Sequence, residues 1–220
     1  MPTTISPRSN NSRSWTSQSD CNVDTLQQYR RVLHVTCTLV TSDAYVIPLK
    51  RFDLAKERLR VNNTASVTEL AQQLATHVIA NCAPRHTIVL SESDEISQFA
   101  SAQGCEVLRS DATDLNDAVQ RAYGALQSRF ERLIIVHGDL RHPEGLGSFE
   151  PGEGITIVTD HHGLGTNVMA LPTGLNFHFS YGANSASRHR REAERLGTPV
   201  ALVTDSLWRF DVDEPDDLDR

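Results

Sequence analysis

Short apolar runs of β-forming residues alternate with amphipathic helical stretches from Tyr45 to the end of this 220-residue chain. The helical patterns predict three helices, over Val67–Ile79, Leu115–Phe130 and Ser185–Leu196. The β-rich runs predict strands over Tyr45–Leu49, Thr87–Leu90, Leu133–Val136, Ile155–Thr159, Met169–Leu171 and Val200–Thr204. Such alternation is typical of a mostly parallel sheet that is covered by helices on both faces. We therefore predict one Rossmann-like α/β domain with a mixed, mostly parallel sheet.

The first 43 residues do not follow this pattern. Residues 1–20 carry Ser, Asn, Thr, Pro and Arg, with no acid before Asp20, and offer little apolar surface to bury, which predicts disorder. Such a start also resembles an organelle transit peptide, although it has no clear amphipathic period. Residues 32–40 are rich in β-forming residues, and the sequence leaves open whether they add an edge strand. We predict an N-terminal extension over residues 1–43 and a folded domain over residues 44–220.

Charge and cysteine usage limit the classes of partner. The net charge is -7 and the pI is near 5.7, whereas nucleic-acid-binding surfaces cluster an excess of Lys and Arg. The four cysteines have no metal-ligand spacing, so we expect reduced thiols in a cytoplasmic protein. No apolar run approaches the roughly 18 residues of a membrane-spanning helix. We expect small-molecule partners, no nucleic acid and no membrane, and we leave a homodimer open for a subunit of this size.

A basic turn follows the first predicted strand. Ligands of open α/β sheets bind at the carboxyl ends of the strands, so polar residues at these ends are candidates for the functional site. The turn carries Lys50, Arg51, Lys56 and Arg58. Such cations can neutralise a triphosphate. A basic turn on the solvated surface is an equal alternative.

Three acidic side chains lie where magnesium ligands are expected. Asp139 follows the central apolar strand, and Asp211 and Asp213 lie one residue apart near the end of the chain. If residues 201–213 are extended, the last two share one face about 6.6 Å apart. Magnesium takes carboxylate oxygens together with substrate phosphates, so these acids predict a Mg²⁺ site. The alternatives are a capping or turn role for Asp139 and an acidic helix start before Pro215 for the pair.

Two further segments are candidates for ligand binding, and the second of them for an anion. Glycines on either side of Leu164 let the backbone approach a ligand, and Thr166 and Asn167 supply neutral hydrogen-bonding groups. Gly182 precedes a helix that starts at Ser185, where free backbone amides and a hydroxyl are suited to an anion. A serine cap on a solvated basic helix is the alternative.

In combination these segments resemble the guanylyltransferases of coenzyme F420 biosynthesis. The matching elements are Val46-Ile47-Pro48-Leu49-Lys50, Ala55-Lys56-Glu57-Arg58-Leu59, Gly165-Thr166-Asn167, Tyr181-Gly182-x-x-Ser185 with Arg188-His189, and Asp211-Val212-Asp213-x-Pro215-x-Asp217-Leu218. The resemblance extends in order from Ala44 to Leu218. It implies a single-domain nucleotidyltransferase fold like that of the nucleotide-diphospho-sugar transferases. It also implies an enzyme that joins GTP to phosphoenolpyruvate, 2-phospho-L-lactate or 3-phosphoglycerate and releases pyrophosphate.

The resemblance assigns roles to individual residues. It implies catalytic and GTP-phosphate contacts for Lys50, Lys56 and Arg58, and a nucleotide contact for Asn116. It implies contacts with the acid substrate for Thr166, Gly182 and Ser185, and Mg²⁺ ligation by Asp139, Asp211 and Asp213. The second pKa of a phosphate monoester is about 6, so the acid is largely a dianion that can attack the α-phosphorus with no general base.

Two positions depart from the family pattern, and they motivate alternatives. Arg141 follows Asp139-Leu140 where the family has proline, and Asp114 stands where glycine is common. They raise the alternative of a non-catalytic nucleotide-binding relative. A second alternative is a metal-dependent phosphoesterase, since Asp160-His161-His162 matches an Asp-His-His signature. The basic turn after the first strand counts against it, because those hydrolases carry an acidic cluster there.

Overall fold

A computed structural model of the chain describes residues 41–56, 64–213 and 217, which lie in one compact unit, Thr38–Arg220. Within these residues the strands are β1 (Thr41–Leu49), β2 (His86–Ser91), β3 (Glu106–Arg109), β4 (Phe130–Val136), β5 (Ile155–Thr159), β6 (Thr166–Pro172) and β7 (Val200–Val203). The α-helices are α1 (Thr64–Cys82), α2 (Asp94–Ala102), α3 (Leu115–Leu126) and α4 (Ser185–Arg195). Short 3₁₀ helices cover Leu146–Ser148 and Leu207–Arg209.

All of the described strands form one sheet, in the order β3-β2-β1-β4-β6-β5-β7. β6 runs antiparallel to both of its neighbours, and the other neighbouring pairs are parallel. The predicted mixed, mostly parallel sheet is confirmed. The chain passes outward from β1 to β3 and returns to the other side of β1 at β4. The strand order therefore reverses between β1 and β4, which is where ligands of such sheets bind.

The strands separate two apolar layers, because successive side chains of a strand point to opposite faces. Val46 and Ile135 pack on one face with residues of α3 and α4. Tyr45 and Ile134 pack on the other face with residues of α1 and α2. Both faces of the central strands are buried, which explains why their sequences read as continuous apolar runs.

Some element boundaries differ from the prediction. β3 and α2 are not predicted from the sequence pattern, although Ser93 caps α2 by accepting a hydrogen bond from the Ile96 amide at 3.2 Å. The predicted helix Leu115–Phe130 ends at Leu126, because Phe130 already pairs with Thr41 in the sheet. Tertiary pairing thus overrides the helical pattern at this end.

Residues 201–213 are not continuously extended, so the condition under which Asp211 and Asp213 would share one face of a strand is not met. The chain leaves the sheet after Val203, and Ser206 caps a 3₁₀ helix by accepting a hydrogen bond from the Trp208 amide at 3.1 Å. The backbone is extended again at Phe210, and Asp211 then forms an isolated β-bridge with Leu140.

Residues 1–40 lie outside the described residues, and with them the predicted disordered start and the β-rich run at 32–40. The N-terminal extension and its boundary stay predictions. Among the residues that the structure covers, no helix is long and apolar enough to cross a membrane. Cys82 and Cys105 are free thiols.

Candidate active site

A cleft of about 770 Å³ opens at the carboxyl ends of β1, β2, β3 and β4. Small-molecule sites in proteins have volumes in this range. Its polar lining residues are Lys50, Lys56, Ser91, Glu92, Ser110, Thr113, Asp114, His137, Asp139 and Asp213. The predicted phosphate-binding lysines and two of the predicted metal ligands therefore line one cavity.

The turn after β1 presents the lysines. The amide of Leu54 donates to the Arg51 carbonyl at 3.0 Å, which closes the turn. The Arg51 guanidinium is paired with Asp53 at 2.9 Å, whereas Lys50 is exposed in the cleft. Arg58 lies outside the described residues, so its phosphate contact stays a prediction.

The Lys56 ammonium lies between two of the predicted metal ligands. It donates to a carboxylate oxygen of Asp139 and to Oδ1 of Asp213 at 2.9 Å, and 6% of its side chain is exposed. Burial alone would lower the pKa of Lys56, but the two carboxylates outweigh burial and raise it. Burial would likewise raise the pKa of Asp139, but the charge of Lys56 holds it below its ordinary value. Both groups are therefore ionised at neutral pH.

Backbone pairing brings Asp211 to Asp139. Leu140 forms the β-bridge with Asp211, and the amide of Val212 donates to the Asp139 carbonyl at 3.1 Å. The side-chain amide of Asn167 donates to Oδ1 of Asp211 at 3.2 Å. Burial raises the pKa of Asp211, and the negative charges of Asp139 and Asp213 raise it further. Its ionised form is thus the least compensated of the three carboxylates.

The donor set suits a hard cation. As placed, the described residues contain no group of three or more His, Cys, Asp or Glu side chains arranged as a metal site. Oδ1 of Asp139, however, is buried with no hydrogen-bond partner, and Asp211 lies nearby with its raised pKa. Magnesium accepts such oxygen ligands. The residues fit the predicted Mg²⁺ site, which stays a prediction.

Thr166 and Ser185 form a buried hydroxyl pair at the start of α4. The Ser185 hydroxyl donates to Oγ1 of Thr166 at 3.1 Å, and Nδ1 of His189 lies 3.1 Å from the same oxygen. Gly182 has a φ of 104°, which favours glycine, and its carbonyl accepts from the Ser185 amide at 3.1 Å. The structure therefore brings the three predicted acid-binding residues together.

The start of α4 offers fewer free amides than the sequence predicts. The Ser185 amide donates to the Gly182 carbonyl, and the Ala186 amide donates to the Leu164 carbonyl at 3.0 Å. The expectation of free amides at these two positions is wrong, because the turn that contains Leu164 is bonded to the helix start. Anion binding here depends more on the hydroxyls than on the backbone.

Asn116 holds a neighbouring segment in place. Its Oδ1 accepts from the Tyr181 amide at 2.5 Å, and its Nδ2 donates to the Tyr181 carbonyl at 3.4 Å. These bonds tie the segment before Gly182 to α3. The nucleotide contact of Asn116 stays a prediction, and the structure adds this positioning role.

The two departures from the family pattern have local structural roles. Asp114 caps α3, since its Oδ1 accepts from the Asp117 amide at 3.0 Å. The Arg141 guanidinium donates to the Asp217 carbonyl, and its amide donates to the Phe210 carbonyl at 2.8 Å. Arg141 therefore ties the turn after β4 to the segment that carries the C-terminal acids.

The Asp-His-His segment forms the turn before β6. Oδ1 of Asp160 accepts from the Leu164 amide at 2.7 Å. A Cβ at Gly165 would lie 2.7 Å from Oδ2 of Asp160, so a larger residue there would displace the Asp160 side chain. The His161 ring stacks on Phe210 with centroids 6.0 Å apart. These contacts give the segment a structural role and leave the phosphoesterase alternative without support.

The sequence analysis does not name several polar residues that line the cleft. Ser91 ends β2, Ser110 follows β3 and His137 follows β4. The signal was available, since each lies at the carboxyl end of a strand. Ser110 was missed because β3 was not predicted, and isolated Ser and His residues are common in turns.

Comparisons with known proteins agree with this geometry. The family profile described as "Guanylyl transferase CofC like" matches residues 44–220. A protein named phosphoenolpyruvate guanylyltransferase from Chloroflexus aurantiacus is 29% identical over 188 residues, which cover 80% of this chain and 92% of that protein. A protein of the same name from Conexibacter woesei is 31% identical over 192 residues, which cover 79% and 84%.

A solved structure shows a similar fold. A nucleotidyl transferase from Methanothermobacter matches with a TM-score of 0.54 at 14% identity, covering 81% of this chain and 94% of that chain. At this identity the likeness shows the fold alone. The predicted single-domain nucleotidyltransferase fold is confirmed.

Proposed function

The chain belongs to the family of CofC-like guanylyl transferases, and from this membership we propose that it transfers the guanylyl group of GTP to phosphoenolpyruvate. The products are a guanosine diphosphate ester of the acid and pyrophosphate, which makes the reaction a step of coenzyme F420 biosynthesis. The choice of phosphoenolpyruvate is supported by the names of the similar proteins. 2-Phospho-L-lactate and 3-phosphoglycerate are the competing acids.

The observation that carries the proposal is the Lys56–Asp139–Asp213 cluster in the cleft at the β1/β4 switch point. A triphosphate needs cations at this place, and Lys50 and Lys56 supply two of them. In the proposed complex Arg58 adds a third. Asp139, Asp211 and Asp213 would hold Mg²⁺, which when bound neutralises phosphate charge beside the lysines.

The hydroxyl pair and Gly182 form the proposed acid site. Thr166 is followed by Asn167, whose side chain binds Asp211 at 3.2 Å. The main chain of Asn167 also accepts a hydrogen bond from the His137 amide at 3.0 Å. Thr166 therefore adjoins, along the chain, the residue that binds Asp211, and Asp211 in turn pairs with Leu140 beside Asp139.

The proposed reaction needs no protein nucleophile. An oxygen of the acid's phosphate dianion forms a bond to the α-phosphorus of GTP, while the bond from that phosphorus to the β-phosphate oxygen breaks. The electron pair leaves with pyrophosphate, and no proton is transferred. The protein contributes positioning and neutralisation of charge, through Lys50 and Lys56 on the phosphates and Thr166 and Ser185 on the acid.

The test is pyrophosphate release by purified protein with GTP, magnesium and each of the three acids in turn. We expect release that depends on an acid, with phosphoenolpyruvate the preferred one. Release without any acid, or none with all three, would contradict the proposal. Binding of GTP in a thermal-shift assay without any turnover would instead support the non-catalytic relative.

A further inference from the structure

His189 connects the acid-binding hydroxyls to the backbone through a buried hydrogen-bonded chain. The Ser180 amide donates to Nε2 of His189 at 2.9 Å, and Nδ1 lies 3.1 Å from Oγ1 of Thr166. The Thr166 and Ser185 hydroxyls are 3.1 Å apart. His189, Thr166 and Ser185 are 0%, 2% and 1% exposed. The four groups form one continuous network inside the protein.

The Ser180 amide determines the tautomer of His189. A backbone N–H only donates, so Nε2 must be an unprotonated acceptor. Burial, and then the charges of Arg188 and His137, lower the pKa of His189 to about 4, so the ring is neutral at pH 7. The single ring hydrogen therefore lies on Nδ1. His189 donates this hydrogen to Thr166.

The direction of this bond decides what the hydroxyl pair can offer to a ligand. Thr166 and Ser185 carry two hydroxyl hydrogens, one of which is used in the bond between them. If Nδ1 carried no hydrogen, it would accept the second hydroxyl hydrogen, and the two hydroxyls could then only accept hydrogen bonds from a ligand. Because Nδ1 donates, the second hydrogen stays available. An anionic oxygen requires such a donor.

We propose that His189 is a positioning residue that makes the Thr166–Ser185 pair a hydrogen-bond donor to an anionic oxygen of the acid substrate. The inference rests on the proposed function, because it names what selects the acid at that site. His189 itself need not touch the substrate. The pair should therefore favour a carboxylate or phosphate oxygen over a neutral donor group.

Two substitutions of His189 test the roles of the two ring nitrogens separately. In His189→Asn the side-chain amide can donate from the place of Nδ1. In His189→Gln the terminal amide reaches the place of Nε2 and leaves no donor at Nδ1. We expect His189→Gln to raise KM for phosphoenolpyruvate roughly ten-fold or more, as expected for a lost hydrogen bond to a charged group. KM for GTP should not change, and His189→Asn should keep a KM for the acid near that of the unaltered protein.

A double-mutant cycle distinguishes positioning from general support of the fold. Thr166→Val removes the hydroxyl and should reproduce the KM increase of His189→Gln. In the Thr166→Val background, His189→Gln should cause no further increase, because no hydroxyl remains to be oriented. Melting temperatures of all variants show whether each is folded.

If the unaltered protein turns over substrate, several results would overturn the inference about His189 while leaving the proposed function intact. These are equal KM values for His189→Asn and His189→Gln, a normal KM for Thr166→Val, or an undiminished further loss in the Thr166→Val background. Absence of turnover in the unaltered protein with every acid would overturn the proposed function, and the inference with it.

Discussion

At the scale of single residues, the three clustered carboxylates of Asp139, Asp211 and Asp213 differ in how their charge is compensated. The Lys56 ammonium, whose side chain is 6% exposed, contacts both Asp139 and Asp213 and offsets one of their two charges. Asp211 accepts a hydrogen bond from the side-chain amide of Asn167, and burial together with its charged neighbours raises its pKa. An ionised Asp211 thus costs free energy in the protein without a cation, which is typical of a functional site.

Asp211→Asn should separate stability from activity. We expect pyrophosphate release to fall by more than about 100-fold, the scale of losing one group that stabilises transition-state charge. The melting temperature should stay the same or rise, because asparagine keeps the oxygen that Asn167 binds and removes the like-charge repulsion. Asp205→Asn, an exposed acid of the same segment, is the matched control. Unchanged turnover, or a large drop in melting temperature, would count against the role of Asp211.

His189 should make the protein less stable in mild acid. Its pKa is about 4 in the folded protein against an ordinary value of 6.5. Between these values the unfolded chain binds a proton that the folded protein does not, so the free energy of unfolding falls as the pH falls from 6.5 to 4. The loss is up to about 3 kcal/mol.

The measurement is urea denaturation across this pH window, with His189→Gln as the control that cannot titrate. The charged groups that act on His189 are Arg188, His137 and Glu192. A hydrogen bond from Arg195 lowers the pKa of Glu192 to about 2, so this acid stays ionised throughout the window. Parallel pH profiles of the two proteins would show that His189 is not the source.

At the scale of secondary-structure elements, α3 depends on a cap that also lines the cleft. Asp114 accepts from the Asp117 amide at 3.0 Å. Asp114→Ala should lower the free energy of unfolding by about 1 kcal/mol, and Asp114→Gly by about a few tenths, since glycine is itself a tolerated cap. Asp114→Asn should retain the stability. Denaturant midpoints measure all three, and a midpoint of Asp114→Ala equal to that of the unaltered protein would show that the cap is unimportant.

The small cost expected for glycine explains how Asp114 can replace it. The family resemblance places glycine at this position, and aspartate adds a side-chain cap to α3. This departure therefore gives no reason to infer loss of activity. Arg141 likewise has a structural role: it stands where the family has proline, and its guanidinium donates to the Asp217 carbonyl.

At the scale of the whole molecule, one antiparallel strand completes the site. β6 lies between β4 and β5 and runs against both. Its first residues, Thr166 and Asn167, therefore lie at the edge of the sheet where β4 ends, with Val168 opposite Val136. A parallel strand at this position would place them at the opposite edge. The reversal of β6 brings Thr166, a proposed contact of the acid, and Asn167 to the end of β4 that precedes Asp139.

The sequence by itself determined the central strands, three of the helices and the strand ends that carry the chemistry. These features follow from local periodicity, because burial on two faces or along one stripe leaves a pattern within a few residues. The short strand β3 and the helix α2 were missed, since four or nine residues give weak patterns. The motifs between Val46 and Leu218 likewise identified the family without any coordinates.

Only the tertiary structure decided which of these groups meet. The tertiary structure places the Lys56 ammonium between Asp139 and Asp213. It also pairs the first two amides of α4 with backbone carbonyls and the Asn116 side chain with the backbone of Tyr181. It also fixed the tautomer of His189 through the Ser180 amide. A hydrogen bond between distant parts of a chain forms only when donor and acceptor lie about 3 Å apart and the donor hydrogen points at the acceptor. No local pattern encodes these, so they exist only once the sheet has brought its strand ends together.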